Sequence, residues 1–324
     1  MKRDKLTFLI AELILIVLAA FFIHKIFQED VAQKRVAVIL QNSGDTRWEG
    51  VINGLKQSAK TNNLHLIICN TDDIVSAQDE RELIEEQLEN DVDAFILCPA
   101  PGTDTKDMLD WLGEQKKPFV LLTEDVYTGE QPEASGYATV KPDNYQIGYT
   151  LGTQLITQDE DGLKGKRIGV IAGRSKTEAS VNRIQGLKDA LEKQDCEIAW
   201  EYNEESDTDI CAVVDAQEFV DYMVVMDTQA LDTLGEHAEN GVYKDAKIFG
   251  VGTSMKSIAL LDAGQVQCLV IPDGYGIGYE SVEEIEKELT RTFYTLKSHE
   301  KEVKVIYKED LFSDEIERFL YSYE

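Results

Sequence analysis

Carboxylates are the commonest reactive groups in this chain, and none of them is arranged to react. Asp and Glu number 61 against 32 Lys and Arg. Pairs of acids therefore arise from abundance alone, and no single pair stands out as a general acid and base. The four histidines (His24, His65, His237 and His299) stand far apart, and the five cysteines include no C-x-x-C. Neither set has the ligand spacing of a zinc site. The motifs G-x-S-x-G, H-E-x-x-H and G-x-x-x-x-G-K-[ST] are absent. GRSKTEAS follows an apolar run but lacks the glycine framework with which a backbone loop cradles phosphate. The expectation is a protein that is not an enzyme, uses no metal or cofactor, and works by binding.

The formal charge of -29 narrows what it binds. Affinity for nucleic acid comes largely from Lys and Arg neutralising phosphates, so a body this acidic is repelled by DNA and RNA. Anionic lipid heads repel it for the same reason. A cationic ligand is permitted. Cys69 and Cys98 end the runs LIIC and FILC, where a free thiol acts as a small hydrophobe. An odd cysteine count argues against a full disulfide framework.

The elements that would position a binding site follow a regular rhythm. Runs such as RVAVIL at 35–40, Ala94 to Cys98 and Phe119 to Leu122 read as buried strands. Between them lie helical stretches such as Trp48 to Ala59, with Val51, Ile52, Leu55 and Ala59 on one side. The rhythm restarts after Val140, with Pro142 placed where a helix begins and its missing N–H costs nothing. Buried strands alternating with amphipathic helices predict parallel sheets covered on both faces. Two such blocks follow one another, from about Lys34 to Val140 and from Asp143 to Val270. The stretch Tyr202 to Phe219 is acidic and broken where the rhythm calls for a full helix.

The N-terminus carries a different signal. Leu6 to Ile23 is apolar except for Glu12, and as a helix it rises about 27 Å, enough for the hydrocarbon layer. Lys2, Arg3 and Lys5 precede it, which favours a cytoplasmic start with the rest of the chain crossing. A cleaved signal peptide is the rival reading. Ala19-Ala20 is followed by Phe21 and Phe22, a poor small-x-small cleavage site. The expectation is an uncleaved anchor, a cell-membrane location by a single pass, and an extracytoplasmic soluble part. Residues 1–30 would then be cytoplasmic start, anchor and linker.

Beyond these patterns the chain resembles the type 1 periplasmic binding proteins, in particular the ribose/galactose-type sugar-binding branch related to LacI-type repressor ligand domains. The resemblance covers about Lys34 to Asp310. It rests on RVAVILQNSG, PFVLL, VKPDNYQIGYTLG, RIGVIAGR, NRIQGLKDAL, KIFGVGT and IPDGYGIGY, of which PDNYQIG is the most specific. A membrane span precedes the domain instead of a DNA-binding headpiece, which points away from the repressor branch. The resemblance implies an α/β fold of two Rossmann-like lobes with parallel sheets, joined by three crossing strands and preceded by one transmembrane helix. The crossings would lie near Val140–Asn144, Ile271–Tyr275 and Tyr307–Asp310. Lobe one would be 34–140 plus 276–305, and lobe two 144–270 plus 306–324. A ligand would lie between the lobes at the carboxyl ends of the strands, and hinge closure would shield it.

Carried over position by position, the family's sugar-contacting pattern is broken. Its aromatic pair after the first strand falls on Arg47 and Trp48. Its Asp-Arg after the PFVLL strand falls on Thr123 and Glu124, and its Arg in the first helix of lobe two on Val181, while the next Arg is kept as Arg183. Its Asn falls on Met226 beside a kept Asp227, its next Asp on Gly252 and its Gln on Pro272. The resemblance therefore implies a ligand-binding wall of Asp45, Arg47, Trp48, Glu124, Asp125, Arg174, Asp227 and Tyr275, with Asp143, Asn144 and Arg183 as hinge or structural residues. Duller roles are open to each: Asp45 forming an Asx turn, Glu124 and Asp125 facing solvent on the rim, Asp227 capping a helix, Trp48 sealing a helix against its sheet. The wall holds more acids than bases and suits a small polar ligand, sugar-like or amine-bearing, with Trp48 offering a ring face to a cation.

Three functions stay open at this point. The chain is an extracytoplasmic solute-binding protein serving an ABC-type importer, a ligand-sensing module for a membrane kinase or receptor, or a degenerate scaffold that binds nothing in its cleft.

Overall fold

The computed structural model describes residues 12–19, 33–130, 133–159, 162–204, 208–238, 243 and 245–321. It has two compact units, Met1–Gln33 and Lys34–Glu324. Of the first, residues 12–19 are helical, and the rest of the expected anchor over 6–23 lies outside the described residues. Among the described residues no helix is long and apolar enough to cross a membrane.

The second unit contains two six-stranded sheets. The first is built from β1 (Arg35–Ile39), β2 (His65–Ile68), β3 (Ala94–Leu97), β4 (Phe119–Leu122), β5 (Thr139–Pro142) and β11 (His299–Lys301), in the order β11-β5-β4-β3-β1-β2. The second is built from β6 (Arg167–Arg174), β7 (Glu197–Glu204), β8 (Tyr222–Val225), β9 (Lys247–Val251), β10 (Cys268–Pro272) and β12 (Val303–Ile306), in the order β12-β10-β9-β8-β6-β7. All pairings are parallel except that of β12 with β10. Parallel pairing needs crossovers, and the helices supply them: α1 (Glu49–Thr61), α2 (Ala77–Glu89) and α3 (Thr105–Glu114) in lobe one, and α4 (Asn144–Gln158), α5 (Glu178–Leu191), α6 (Ile210–Asp215), α7 (Thr228–His237) and α8 (Met255–Ala263) in lobe two. Helix α9 (Gly274–Thr290) returns to lobe one, where it packs on α1. Helix α10 (Asp314–Tyr321) ends the described chain. Each sheet is packed on two faces, which gives four clusters of buried apolar residues, all within residues 36–316. The continuous burial of β3 and β8 follows from helices covering both sides.

The chain crosses between lobes after Pro142 and after Pro272. Both crossings lead into the same local construction. Pro142-Asp143-Asn-Tyr145-Gln-Ile147-Gly148-Tyr149 and Pro272-Asp273-Gly-Tyr275-Gly-Ile277-Gly278-Tyr279 are one motif used twice. Asp143 and Asp273 each cap their helix, accepting from the N–H of Gln146 at 2.9 Å and of Gly276 at 2.8 Å. Gly148 lies against the Arg183 carbonyl and Gly278 against the Val51 carbonyl, so close that a β-carbon at either position would collide. The partner helices mirror each other too, with Ile52-Asn-Gly54-Leu-Lys in α1 and Ile184-Gln-Gly186-Leu-Lys in α5. Two glycine-to-backbone crossings, α1 on α9 and α4 on α5, thus hold the corresponding helix pair of each lobe. The third crossing runs through Glu302, because β11 completes sheet one and β12 already pairs with β10. It therefore comes earlier than the Tyr307–Asp310 expected from the resemblance.

The five cysteines are free. Cys69, Cys98 and Cys268 are buried, as apolar strand ends require, and burial pushes the Cys69 thiol up to about 11. Of the broken region Tyr202 to Phe219, the described residues include the end of β7 and the short α6.

Candidate functional site

The carboxyl ends of both sheets face a cleft of about 770 Å³. Parallel strands deliver their last residues, and the loops that follow, to this one place. Lobe one contributes Gln41 and Arg47 beyond β1, Cys98 beyond β3, and Thr123 and Glu124 beyond β4. Lobe two contributes Arg174 at the end of β6, Glu204 at the end of β7, Asp227 beyond β8 and Thr253 beyond β9.

Arg47 occupies the middle of the charge pattern. A short 3₁₀ turn, Thr46–Trp48, aims its side chain inward, and Asp45 caps that turn by accepting from the Arg47 N–H at 2.8 Å. The guanidinium stands 5.1 Å over the Trp48 ring, and the Trp48 indole N–H is tied to the Gln41 carbonyl at 2.8 Å. Burial works against the Arg47 charge, but Asp227 and Asp45 keep it firmly ionised. Its ion pairs are long, 3.7 Å to Asp227 across the cleft and 3.9 Å to Asp45, and its buried Nε has no hydrogen-bond partner. It is a cation held in place with donor capacity to spare.

Glu204 is its complement. Burial and the neighbouring Asp227 push its carboxyl up to about 7, against the pull of Arg47 and Arg174. Neither arginine forms a salt bridge with it: Arg47 is committed to Asp45 and Asp227, and Arg174 to Asp73. Glu124 lies 9% exposed on the cleft floor, pushed up to about 7 by burial despite accepting from the Ala179 N–H at 3.1 Å. Behind it the fully buried Glu80, pushed up to about 8 by burial, accepts from the Ala100 N–H at 2.8 Å through one oxygen and leaves the other without a partner. Thr123, a β-branched residue in the left-handed region at φ 68°, turns the chain so that Glu124 reaches lobe two. Such conformations store strain and gather at functional clefts.

Several bonds draw the lobes together. Arg174 reaches Gln41 at 2.8 Å and grips both oxygens of Asp73 at 2.7 and 3.1 Å. The Gly102 N–H donates to the Lys176 carbonyl at 2.9 Å, and the Thr253 hydroxyl to the Arg47 carbonyl at 3.3 Å. At the hinge, buried Glu178 accepts from Lys141 at 2.5 Å, from Asn144 at 3.0 Å and from the Asp125 N–H at 3.3 Å. Asn144 also accepts from Arg183 at 3.0 Å, and Arg183 donates to the Met226 carbonyl at 2.6 Å.

Six of the expected wall residues therefore line the cleft: Arg47, Trp48, Glu124, Arg174, Asp227 and Tyr275. Asp227 does so while also capping α7, by accepting from the Ala230 N–H at 3.0 Å. Asp45 and Asp125 are placed differently. Asp45 is turned into the cap and the Arg47 contact. Asp125 is buried away from the cleft, accepting from the Val126 N–H at 2.7 Å, the Ser135 N–H at 3.1 Å and the Ser135 hydroxyl at 2.5 Å. Glu124 is on the floor and not on a solvated rim. Asp143, Asn144 and Arg183 lie at the first crossing, as helix cap and hinge network. Glu204, Asp73, Gln41 and Glu178 were not foreseen. The one available signal was that Glu204 lies in the irregular acidic region.

Among the described residues one other cluster offers metal-type ligands. Glu280, Glu284 and His299 bring ligand atoms within 4.8 Å of one another. The ammonium groups of Lys287, 2.8 Å from Glu284, and Lys301, 3.2 Å from Glu280, already occupy those oxygens. The cluster supplies its own cations.

A family described as "Periplasmic binding protein domain" matches residues 36–290. A comparison with curated proteins finds no match. Among solved structures, GanP, a glucose-galactose binding protein from Geobacillus stearothermophilus, is 18% identical with a TM-score of 0.74, over 87% of this chain and 99% of that one. An ABC transporter solute binding protein from Agrobacterium vitis with bound D-fucose is 17% identical with a TM-score of 0.77, over 89% and 100%. A XylFII-LytSN complex is matched at 15% identity and a TM-score of 0.73, over 86% and 99%. At these identities the likeness is one of fold.

Proposed function

The chain belongs to the periplasmic binding protein domain family, and on that basis we propose that it is an extracytoplasmic solute-binding protein that captures a small polar ligand between its lobes for an ABC-type importer. The observation that carries this reading is the pairing of Arg47 and Glu204 in one cleft. Each is partly removed from water: the buried Arg47 Nε has no hydrogen-bond partner and its Nη2 reaches the Gln41 carbonyl only at 3.5 Å, while the Arg47 and Arg174 side chains that pull on the Glu204 carboxyl are paired with other acids. A buried polar group left without a partner costs about 1–3 kcal/mol, and a ligand that donates to one and accepts from the other recovers that cost. Hydroxyl-rich solutes do both, and the fold neighbours solved or named with D-fucose, glucose and galactose support a sugar-like ligand. The surplus of carboxylates supports an amine-bearing one. Residues 6–23 would tether the protein to the membrane. We assign no reaction to the cleft.

The XylFII-LytSN neighbour, a chain of this fold in complex with another protein, supports a second reading, in which ligand capture is reported to a membrane kinase or receptor. Thermal unfolding against a panel of neutral sugars, amino sugars and simple amines tests what both readings share. A true ligand at a hundred times its Kd stabilises the protein by about 2.7 kcal/mol. No shift across the panel would contradict both. A neighbouring permease and ATPase gene pair, as against a kinase gene, separates the two readings.

A further inference from the structure

Not all of the cleft wall is polar. The order β12-β10-β9-β8-β6-β7 places Glu204, Arg174 and Asp227 on one half of the lobe-two sheet. The other half ends in Ile271 of β10 and is walled by Met255 and Ile258 of α8 and by Phe319 and Leu320 of α10, all lining the same cavity. Strands lie about 4.8 Å apart, so four strand spacings from β7 to β10 separate Glu204 from Ile271 by roughly 19 Å. That is well beyond the length of one sugar ring. The volume agrees: about 770 Å³ matches the room found around drug-sized ligands.

The apolar half is not simply core that happens to be counted with the cleft. Met255 is 53% exposed, and Phe319 and Leu320 are half-buried at the edge of the lobe-two cluster while Ile316 of the same helix is buried within it. Partly wet apolar side chains gathered in a concavity are a binding feature, because covering them gains what isolated surface residues do not.

We propose that the ligand is amphipathic, with a polar head held by Arg47, Glu204 and Asp227 and an alkyl or aryl group lying along Met255, Ile258, Phe319 and Leu320. This rests on the solute-binding reading and narrows its substrate class. An aryl or alkyl glycoside, or an amine with an apolar tail, has this chemistry.

The test uses residues 34–324, the unit that holds both sheets and all four apolar clusters, with a cooperative unfolding transition as the check on folding. Calorimetric titration compares methyl, butyl and hexyl glycosides of D-glucose, D-galactose and D-arabinose, and alkylamines of matched length. The expected result is affinity rising with chain length, by up to about fourfold for each methylene buried. Met255→Gln, at an exposed position, and Leu320→Gln should each remove most of that rise and leave methyl-compound binding within about twofold. Equal affinity for methyl and hexyl compounds, or exclusion of the hexyl ones, overturns the amphipathic class and leaves solute binding intact. Binding of none of the probes, nor of the free sugars, sinks both. A length dependence unchanged in both variants places the tail elsewhere and overturns the assignment.

Discussion

Glu284 and Glu124 are both glutamates taken out of bulk water, and their surroundings treat their charge in opposite ways. At the back of lobe one, burial raises Glu284, but Lys287, the Lys297 N–H, the Tyr294 hydroxyl and His299 together bring it down to about 2. In the cleft, burial raises Glu124 and Glu204 to about 7, and the nearby donors do not reverse it. A carboxylate whose charge is matched within the fold serves the fold. A carboxylate left unmatched at the mouth of two sheets is stable only as a compromise, and a ligand can improve on it.

The contrast can be broken at either end. Glu284→Gln leaves Lys287 without its nearest carboxylate and puts a neutral side chain beside His299, the Tyr294 hydroxyl and the Lys297 N–H, and urea unfolding should show the largest loss, about 3 kcal/mol. Gly148→Ala comes next. It forces a methyl group onto the Arg183 backbone at the α4–α5 crossing, and a loss of roughly 2 kcal/mol in the same measurement is expected.

The pH dependence sharpens the comparison, because the two regions have opposite signs. Glu124 and Glu204 hold protons in the native state that the unfolded chain has released between about pH 4.5 and 7. Their contribution to stability is complete below the unfolded value and is lost as pH rises through about 7. Glu284 behaves in reverse: its contribution is present above about pH 4.5 and is lost as pH falls toward about 2. Glu124→Gln should therefore stabilise the ligand-free protein by about 1–2 kcal/mol at pH 8 and flatten the fall in stability between pH 5 and 8. Glu204→Gln should act in the same direction by less, since this side chain is only partly buried and water screens it. An unchanged pH profile in both variants would erase the distinction drawn here. The smallest effect belongs to Arg174→Ala. Its bond to the half-exposed Asp73 should be worth under about 1 kcal/mol in thermal unfolding, while small-angle scattering should show the ligand-free lobes further apart.

The scaffold was readable because its signals are local. Strand runs and Asp143 as a helix cap are settled within a few residues and are found in the structure, whereas Pro142, expected in the first turn of the helix, closes β5 and the helix begins at Asn144. The duplicated P-D-x-Y-x-I-G-Y motif was equally local and shows that both crossings are built alike. The cleft was harder because its chemistry joins distant segments. Arg47 has the expected identity, but its role depends on Asp227, far along the chain, and on Glu204 at the edge of the opposite sheet. Asp45 and Asp125 have the same type as true wall residues, and only the direction of the neighbouring N–H groups turns them to backbone duty. Glu204 sits in a stretch that breaks the helix rhythm, so periodicity offered nothing to place it.

The most direct test of the central claim, that two hinged lobes close on a solute between Arg47 and Glu204, is a crystal structure of residues 34–324 with the compound that raises its melting temperature most. The account predicts ligand atoms within hydrogen-bonding distance of both the Arg47 guanidinium and the Glu204 carboxyl. A saturated crystal with the compound bound outside the cleft, and Arg47 still directed at Asp45 and Asp227 alone, would contradict it.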